Sequence, residues 1–257
     1  MINPNIVYKL IGLYIIVAIM AYVLSNHLIF IPPQGGFRDS EKIVKLTTND
    51  GARISAIYLQ NPLAMYTILY SHGNAEDLST TYSALQQLYD LGFSVLGYDY
   101  RGYGSSEGYP SEKATYQDIQ AAFQYLVSQK KISPNKIILY GRSVGSGPSV
   151  DLAVNHAVGG LILEGAFVSA YRVVTRAPMF PFDKYKNLDK LQRIHVPILF
   201  IHSINDEVIP FWHGEMLYKN YKGPKQYYWV DNAGHNDLAF YSSAEYKNTI
   251  QLFAKSL

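Results

Sequence analysis

The chain has 257 residues, of which 48% are hydrophobic and 16% charged, with Lys+Arg 22 against Asp+Glu 20. That length and apolar share supply the core of one large α/β domain and exclude wholesale disorder. Near-balanced charge without a basic run excludes a nucleic-acid footprint, and the absence of cysteine excludes disulfides, thiol nucleophiles, Cys-ligated zinc and iron–sulfur clusters.

Residues 10–31 carry no formally charged side chain and are almost wholly apolar as far as Leu24. As a helix this run is roughly 33 Å long, enough to cross a hydrocarbon core of about 30 Å. Residues 1–31 are therefore read as a single-pass, N-terminal transmembrane helix. A cleaved signal peptide, with Val23 and Ser25 as the small residues before a cut, is a competing reading. A buried core helix is a third, and the lack of an amphipathic stripe weighs against it. Lys9 and the amino terminus lie before the span and Arg38, Lys42 and Lys45 after it, so the side of the membrane stays unassigned.

Pro32-Pro33-Gln34-Gly35-Gly36 is turn chemistry and marks a linker over 32–39. One domain is expected over 40–257. It opens with strands over 42–47 and 53–59, joined as a hairpin by Asn49-Asp50-Gly51. Further strands are expected over 66–71, 93–99, 136–140, 160–164, 197–202 and 226–230. Helices are expected over 78–89, 112–128, 146–156, 211–221 and 241–255. Alternating strands and helices with near-continuous apolar strands predict an α/β class: a doubly wound, mostly parallel sheet of about eight strands with an antiparallel N-terminal hairpin.

In such a sheet, sites lie beyond the carboxyl ends of the strands. After the strand over 136–140 comes Gly141-Arg142-Ser143-Val144-Gly145, a G-x-S-x-G sequence running into a helix. A sharp strand-to-helix turn there pushes the serine hydroxyl out of the sheet, with the helix N-terminus behind it. Asp206 follows the strand over 197–202, and His235 follows the last strand. Serine, aspartate, histidine is the chain order of α/β-hydrolase triads. A serine needs a base to take its proton, and the base needs a carboxylate to hold its tautomer. Ser143 is thus the expected nucleophile, His235 the general acid–base and Asp206 the orienting carboxylate, with Glu207 as the rival for that last role. The expected oxyanion hole is the backbone N–H of Val144 together with that of Asn74 in Ser71-His72-Gly73-Asn74-Ala75. His72 itself reads as a structural residue.

Those segments, with Tyr98-Asp99-Tyr100-Arg101-Gly102-Tyr103-Gly104-Ser105, Asp206-Glu207-Val208-Ile209-Pro210 and Gly234-His235-Asn236-Asp237, resemble one family. They are similar to the membrane-associated serine hydrolases called alpha/beta-hydrolase domain-containing proteins, types 13 and 17, over most of residues 43–257. The resemblance implies the α/β-hydrolase fold and the same triad. Type 17 proteins remove palmitate from cysteine thioesters on membrane-bound proteins, which makes a lipidated protein a candidate partner here. Two departures stand out. An apolar helix replaces the cysteine-rich N-terminus of type 17, an arrangement resembling the signal-anchored type 13. Ser203 stands where the family usually has glycine, a difference without a reading at this level.

About thirty residues separate the strand over 160–164 from that over 197–202, where larger lipases insert a lid. Ala177-Pro178-Met179-Phe180-Pro181-Phe182, with Arg172 and Arg176, suggests a short lid over about 168–195. An ordinary surface helix plus loop is the alternative. His27, His156, His195, His202 and His213 lack ligand spacing, and Gly102-Tyr103-Gly104 does not complete a dinucleotide fingerprint, so no metal and no cofactor is expected. The expectation is a membrane-anchored serine hydrolase that cleaves carboxylic esters or thioesters of lipid-like acyl groups through an acyl-enzyme on Ser143. Its partners are then the acyl substrate and membrane lipid, not nucleic acid. A serine peptidase of the same fold and a non-catalytic, membrane-tethered interaction module are the alternatives.

Overall fold

Strands that read as unbroken apolar runs are covered on both faces, because side chains alternate across a strand and neither face meets water. The computed structural model describes residues 3–33, 41–238 and 243–257. The expected linker from Gln34 to Asp39, and the first two residues of the helix expected over 241–255, lie outside them. The N-terminal run is one helix, α1 (Pro4–Ile29), capped by the Asn3 side chain. The hairpin β1 (Ile43–Thr47) and β2 (Arg53–Leu59) follows, then β3 (Thr67–Ser71), α2 (Leu78–Asp90), β4 (Ser94–Tyr98), α3 (Glu112–Gln124) and β5 (Ile137–Arg142). The second half is α4 (Ser146–Asn155), β6 (Gly160–Glu164), the short α5 (Arg172–Thr175) and α6 (Asn187–Leu191), β7 (Ile198–Ser203), α7 (Trp212–Asn220), β8 (Lys225–Val230) and α8 (Ser243–Lys255).

Among the described residues the strands form one eight-stranded sheet in the order β1-β2-β4-β3-β5-β6-β7-β8. β2 runs against both its neighbours, and the pairs from β4 to β8 are all parallel. Growth of the sheet reverses between β3, which leads outward to β4, and β5, which leads to β6. That switch point opens a crevice at the carboxyl ends of β3 and β5. Leu69, Leu139 and Leu161 face a core layer with Ile119, Phe123 and Leu152 of α3 and α4. Ile68, Ile138 and Ile162, one residue out of phase, face Leu85 and Leu88 of α2 and Ile250 and Phe253 of α8.

Two of the expected elements differ by more than one residue at an end. The helix expected over 112–128 ends at Gln124 and continues as a π-helical turn, Tyr125–Gln129. The wider turn keeps Tyr125 and Leu126 on the core, where Tyr125 meets Tyr58 edge-on at 6.2 Å. β5 runs two residues past the end expected at Tyr140, because Gly141 pairs with Ser71 and Arg142 with Glu164. Ser143 therefore leaves the sheet directly.

α1 lies outside this core, and only 6% of its most apolar stretch is buried. From Tyr14 onward it nevertheless leans on the segment between β6 and β7. Tyr14 stacks on Phe180 at 6.2 Å, Tyr22 meets Phe182 at 5.4 Å, and the Tyr171 hydroxyl donates to the Ala21 carbonyl at 3.1 Å.

Gly51 sits at φ 90° in the β1–β2 turn, where an added Cβ meets only open space. Gly51→Ala is therefore a pure backbone change, and urea melts should show it losing about 1–2 kcal/mol.

Candidate active site

Between β5 and α4 the chain turns through Ser143–Gly145 in a single tight turn, with Ser143 at φ 52°. A left-handed conformation costs a non-glycine residue about 1–2 kcal/mol, so the surroundings must impose it. The glycines on either side show how. A Cβ at Gly141 would lie 2.7 Å from both the Gly145 carbonyl oxygen and the Ser146 Cα, and one at Gly145 would collide with the Ser71 carbonyl. The G-x-S-x-G spacing is thus a requirement for close approach of α4 to β5 and β3.

The turn aims Ser143 at His235. The Ser143 Oγ is 2.9 Å from His235 Nε2, and His235 Nδ1 is 2.7 Å from Asp206 Oδ2. A donating Nδ1 leaves Nε2 to accept from the serine hydroxyl. Asp206 Oδ1 accepts the backbone N–H groups of Val208 at 2.9 Å and Ile209 at 2.6 Å. Burial pushes the Asp206 carboxyl up, but these hydrogen bonds and the facing imidazole outweigh it and hold it below the usual carboxylate value. It stays an anion wherever His235 can use it. All three residues are 7–8% exposed, screened from bulk water yet not sealed. Glu207 does not reach the imidazole; it accepts the backbone N–H of His235 at 3.1 Å.

Ser203, opaque in the sequence, ties the end of β7 to the histidine loop by donating its hydroxyl to the Ala233 carbonyl, two residues before His235. On the other side Gly165, at φ 54°, leaves room for the ring, since a Cβ there would come within 2.9 Å of His235 Cε1.

The loop after β3 lies against the turn, with the Cβ position of Gly73 2.7 Å from the Arg142 guanidinium. Among the described residues, the backbone N–H groups of Val144 and Asn74 donate to no protein acceptor. Tyrosines hold this loop. Tyr100 donates to the His72 carbonyl at 2.7 Å, Tyr103 to Asn74 Oδ1 at 2.7 Å, and Tyr98 shares a 2.8 Å bond with Ser71. His72 bonds to the Gly73 carbonyl through Nδ1 at 2.7 Å, a structural placement. Asn74 also grips the end of α1: its Nδ2 donates to the Ile29 carbonyl at 2.7 Å, and its Oδ1 accepts from the Ile31 N–H at 2.9 Å.

Arg142 is the member that sequence reasoning misses. Its guanidinium pairs with Glu76, which itself accepts the Gly73 N–H at 2.7 Å. It donates also to Glu164 at 3.2 Å, to the His235 carbonyl at 3.3 Å and to Asn236 Oδ1 at 3.0 Å. One side chain thus spans the loop after β3, the end of β6 and the histidine loop. Its place inside G-x-S-x-G was the available signal.

Behind Asp206 lie two buried histidines. His202 donates Nε2–H to the Ile209 carbonyl at 2.8 Å, and His213 accepts the Val168 N–H at 3.2 Å beneath the Trp212 ring. Burial pushes the His213 ring from 6.5 down to about 3, helped by the neighbouring His202. Below pH 6.5 the unfolded chain binds a proton that the folded chain refuses, so the stability from His213 is complete above 6.5 and is lost as pH falls toward about 3. Urea melts between pH 7 and pH 4 should show a shallower acid loss for His213→Gln than for the wild type.

The protein-family comparison matches residues 64–185 to the model described as serine aminopeptidase, S33. Alpha/beta hydrolase domain-containing protein 17B of Xenopus tropicalis is 40% identical over 210 residues, which cover 79% of this chain and 72% of that protein. The Homo sapiens 17B protein is 39% identical over the same shares. Among solved structures, an esterase of Pyrococcus furiosus superposes with a TM-score of 0.73 at 18% identity, covering 88% of this chain and 97% of that one. An alpha-beta serine hydrolase homologue from Coxiella burnetii gives 0.66 at 17% identity over 86% and 100% of the two chains. At such identities the structures speak to the fold alone.

Proposed function

The chain belongs to the alpha/beta hydrolase domain-containing protein 17 family of esterase-type serine hydrolases, and from that premise we propose that it cleaves acyl esters or thioesters at a membrane through an acyl-enzyme on Ser143. The observation that carries this reading is the continuous Ser143–His235–Asp206 line, at 2.9 and 2.7 Å, beside two unemployed backbone N–H groups. His235 takes the Ser143 proton as Oγ attacks the acyl carbon. The negative charge that forms on the acyl oxygen is held by the N–H groups of Val144 and Asn74. His235 then gives its proton to the departing alkoxide or thiolate, and a water molecule repeats the sequence to release the acid. Asp206 holds the imidazole in the tautomer that accepts at Nε2 and stabilises the imidazolium.

Residues 168–195 serve in this reading as a short lid. It lies close to the reacting elements: Gly165, just before it, lies beside His235, and Tyr185 within it fills the space over Gly147 of α4. α1 serves as the membrane span, since 26 residues make about 39 Å of helix. Those two apolar elements support a lipid-like acyl group as substrate, S-palmitoyl thioesters of membrane-bound proteins included.

The first test is fluorophosphonate labelling read by intact mass. One adduct is expected on the wild type and none on Ser143→Ala, whose turnover of acyl esters should fall by about 10⁶ because triad members act as a unit. A folded wild type that takes no adduct overturns the reading in favour of a tethered interaction module. The match to the serine aminopeptidase model favours a peptidase as the second reading. Comparing acyl esters and thioesters with peptide substrates separates the two, and turnover of peptides alone decides for the peptidase.

A further inference from the structure

The end of α1 meets the loop that carries one of the two proposed oxyanion donors, and it is anchored there by one ring. Of the described residues before β1, only Ser25 and Phe30 are buried. Ser25 turns back onto its own helix, its hydroxyl donating to the Tyr22 carbonyl at 2.7 Å. Phe30 instead leaves the helix in an extended conformation, φ −107° and ψ 116°, and sinks its ring into the core layer that holds Tyr103, Phe167 and Tyr185. The ring meets that of Tyr185 edge-on at 6.3 Å.

The peptide groups on either side of this ring both face Asn74. The Ile29 carbonyl accepts from Asn74 Nδ2 at 2.7 Å, and the Ile31 N–H donates to Asn74 Oδ1 at 2.9 Å. A planar carboxamide that donates to one peptide group and accepts from the next has its plane and its direction fixed together. The Tyr103 hydroxyl at 2.7 Å and the Ala75 N–H at 3.0 Å complete the set on Oδ1. Ala75 lies at φ 56°, a left-handed conformation that a non-glycine residue keeps only under constraint. Among the described residues, the backbone N–H and carbonyl of Asn74 make no hydrogen bond, so the polar contacts that orient this residue are those of its side chain.

We propose that Phe30, with the Ile29 and Ile31 peptide groups that flank it, is a positioning element of the oxyanion hole, so that the segment ending α1 acts on the reaction through Asn74. The inference rests on the reading of Ser143 as nucleophile and of the Val144 and Asn74 N–H groups as its oxyanion donors. Such a donor works because it already points to where charge will develop, and a displacement of about 1 Å can cost on the order of 10² in rate. The bulk of the ring at position 30 sets where the two peptide groups stand, and they set the tilt of the carboxamide and of the Asn74 backbone. The charge appears only in the transition state, so loosening this clamp lowers kcat and leaves KM near its value.

The test uses the full-length protein in detergent micelles and compares a 4-nitrophenyl acyl ester with its thiono analogue, in which sulfur replaces the carbonyl oxygen. Sulfur is a weak hydrogen-bond acceptor, so the thiono ester draws little on the hole and reports the rest of the site. Ile31→Pro deletes one N–H of the clamp at a 55% exposed position. The extended Phe30 before it and Pro32 and Pro33 after it already suit a proline there. Phe30→Ala empties the anchor, and Phe30→Leu refills most of it. Ile31→Pro and Phe30→Ala should each lose about tenfold or more in kcat on the oxygen ester, with KM within about twofold. Their loss on the thiono ester should stay below about threefold, and Phe30→Leu should recover most of the oxygen-ester kcat. Ile31→Pro, which leaves the core intact, decides alone if Phe30→Ala does not fold. Equal losses on the two esters, or an unchanged oxygen-ester kcat in Ile31→Pro, overturn the inference and leave the serine hydrolase standing. A folded wild type that turns over neither ester overturns both.

Discussion

The arrangement of the site depends on how closely the start of α4 approaches the carboxyl end of β3. At Gly145 the backbone of one element lies against the Ser71 carbonyl of the other, with no room for a single methyl group. That contact places Val144 beside the loop that carries Asn74, and it forces Ser143 into a left-handed conformation that its own side chain disfavours. The strain is held by packing on every side: Gly141 against the α4 backbone, Tyr185 over Gly147, and the β5 ladder extended through Arg142. The Ser143 backbone and Cβ held that way stay aimed at the imidazole, and only rotation about χ1 is left to the hydroxyl.

A second layer converts this local turn into a site spread over the sheet. Arg142 joins Glu76, Glu164 and the His235 carbonyl, so three loops that rise from β3, β6 and β8 share one cation. The guanidinium itself is largely buried, with Glu164 buried and Glu76 partly exposed beside it, and a charge in that position needs its ion pairs to offset desolvation. On the far side Tyr98, Tyr100 and Tyr103 bond successively to Ser71, His72 and Asn74. This gives three of the chain's 23 tyrosines a physical role, since each ring brings apolar bulk for the core and a hydroxyl that satisfies a loop atom. Asn74 then passes the constraint to α1, so the apolar helix is fastened to the same loop that supplies a proposed oxyanion donor.

Much of this was legible in advance because it depends on periodicity and order along the chain. Alternation of apolar strands with amphipathic helices is a local property, and it predicted the parallel sheet and its antiparallel hairpin. The serine, aspartate and histidine each follow a strand, so a parallel sheet brings them to one edge whatever the details. Boundaries were less legible. The π-helical turn after Gln124 and the extension of β5 to Arg142 are decided by neighbours that no local window contains. Ser203 is the clearest such case, since its role appears only when the Ala233 carbonyl, thirty residues later, is beside it.

By itself the sequence determined the class of the fold, the apolar helix at the amino terminus, and which residues lie at the carboxyl edge of the sheet. Those follow from spacing, turn chemistry and hydrophobic pattern, which act over a few residues at a time. The tertiary structure alone decided that Asp206 and not Glu207 faces the imidazole, that Arg142 and the tyrosines brace the loops, and that α1 leans on the 177–182 loop. Each of these is a contact between segments distant along the chain, set by the close packing of a finished core, and packing has no signature in any single stretch of residues.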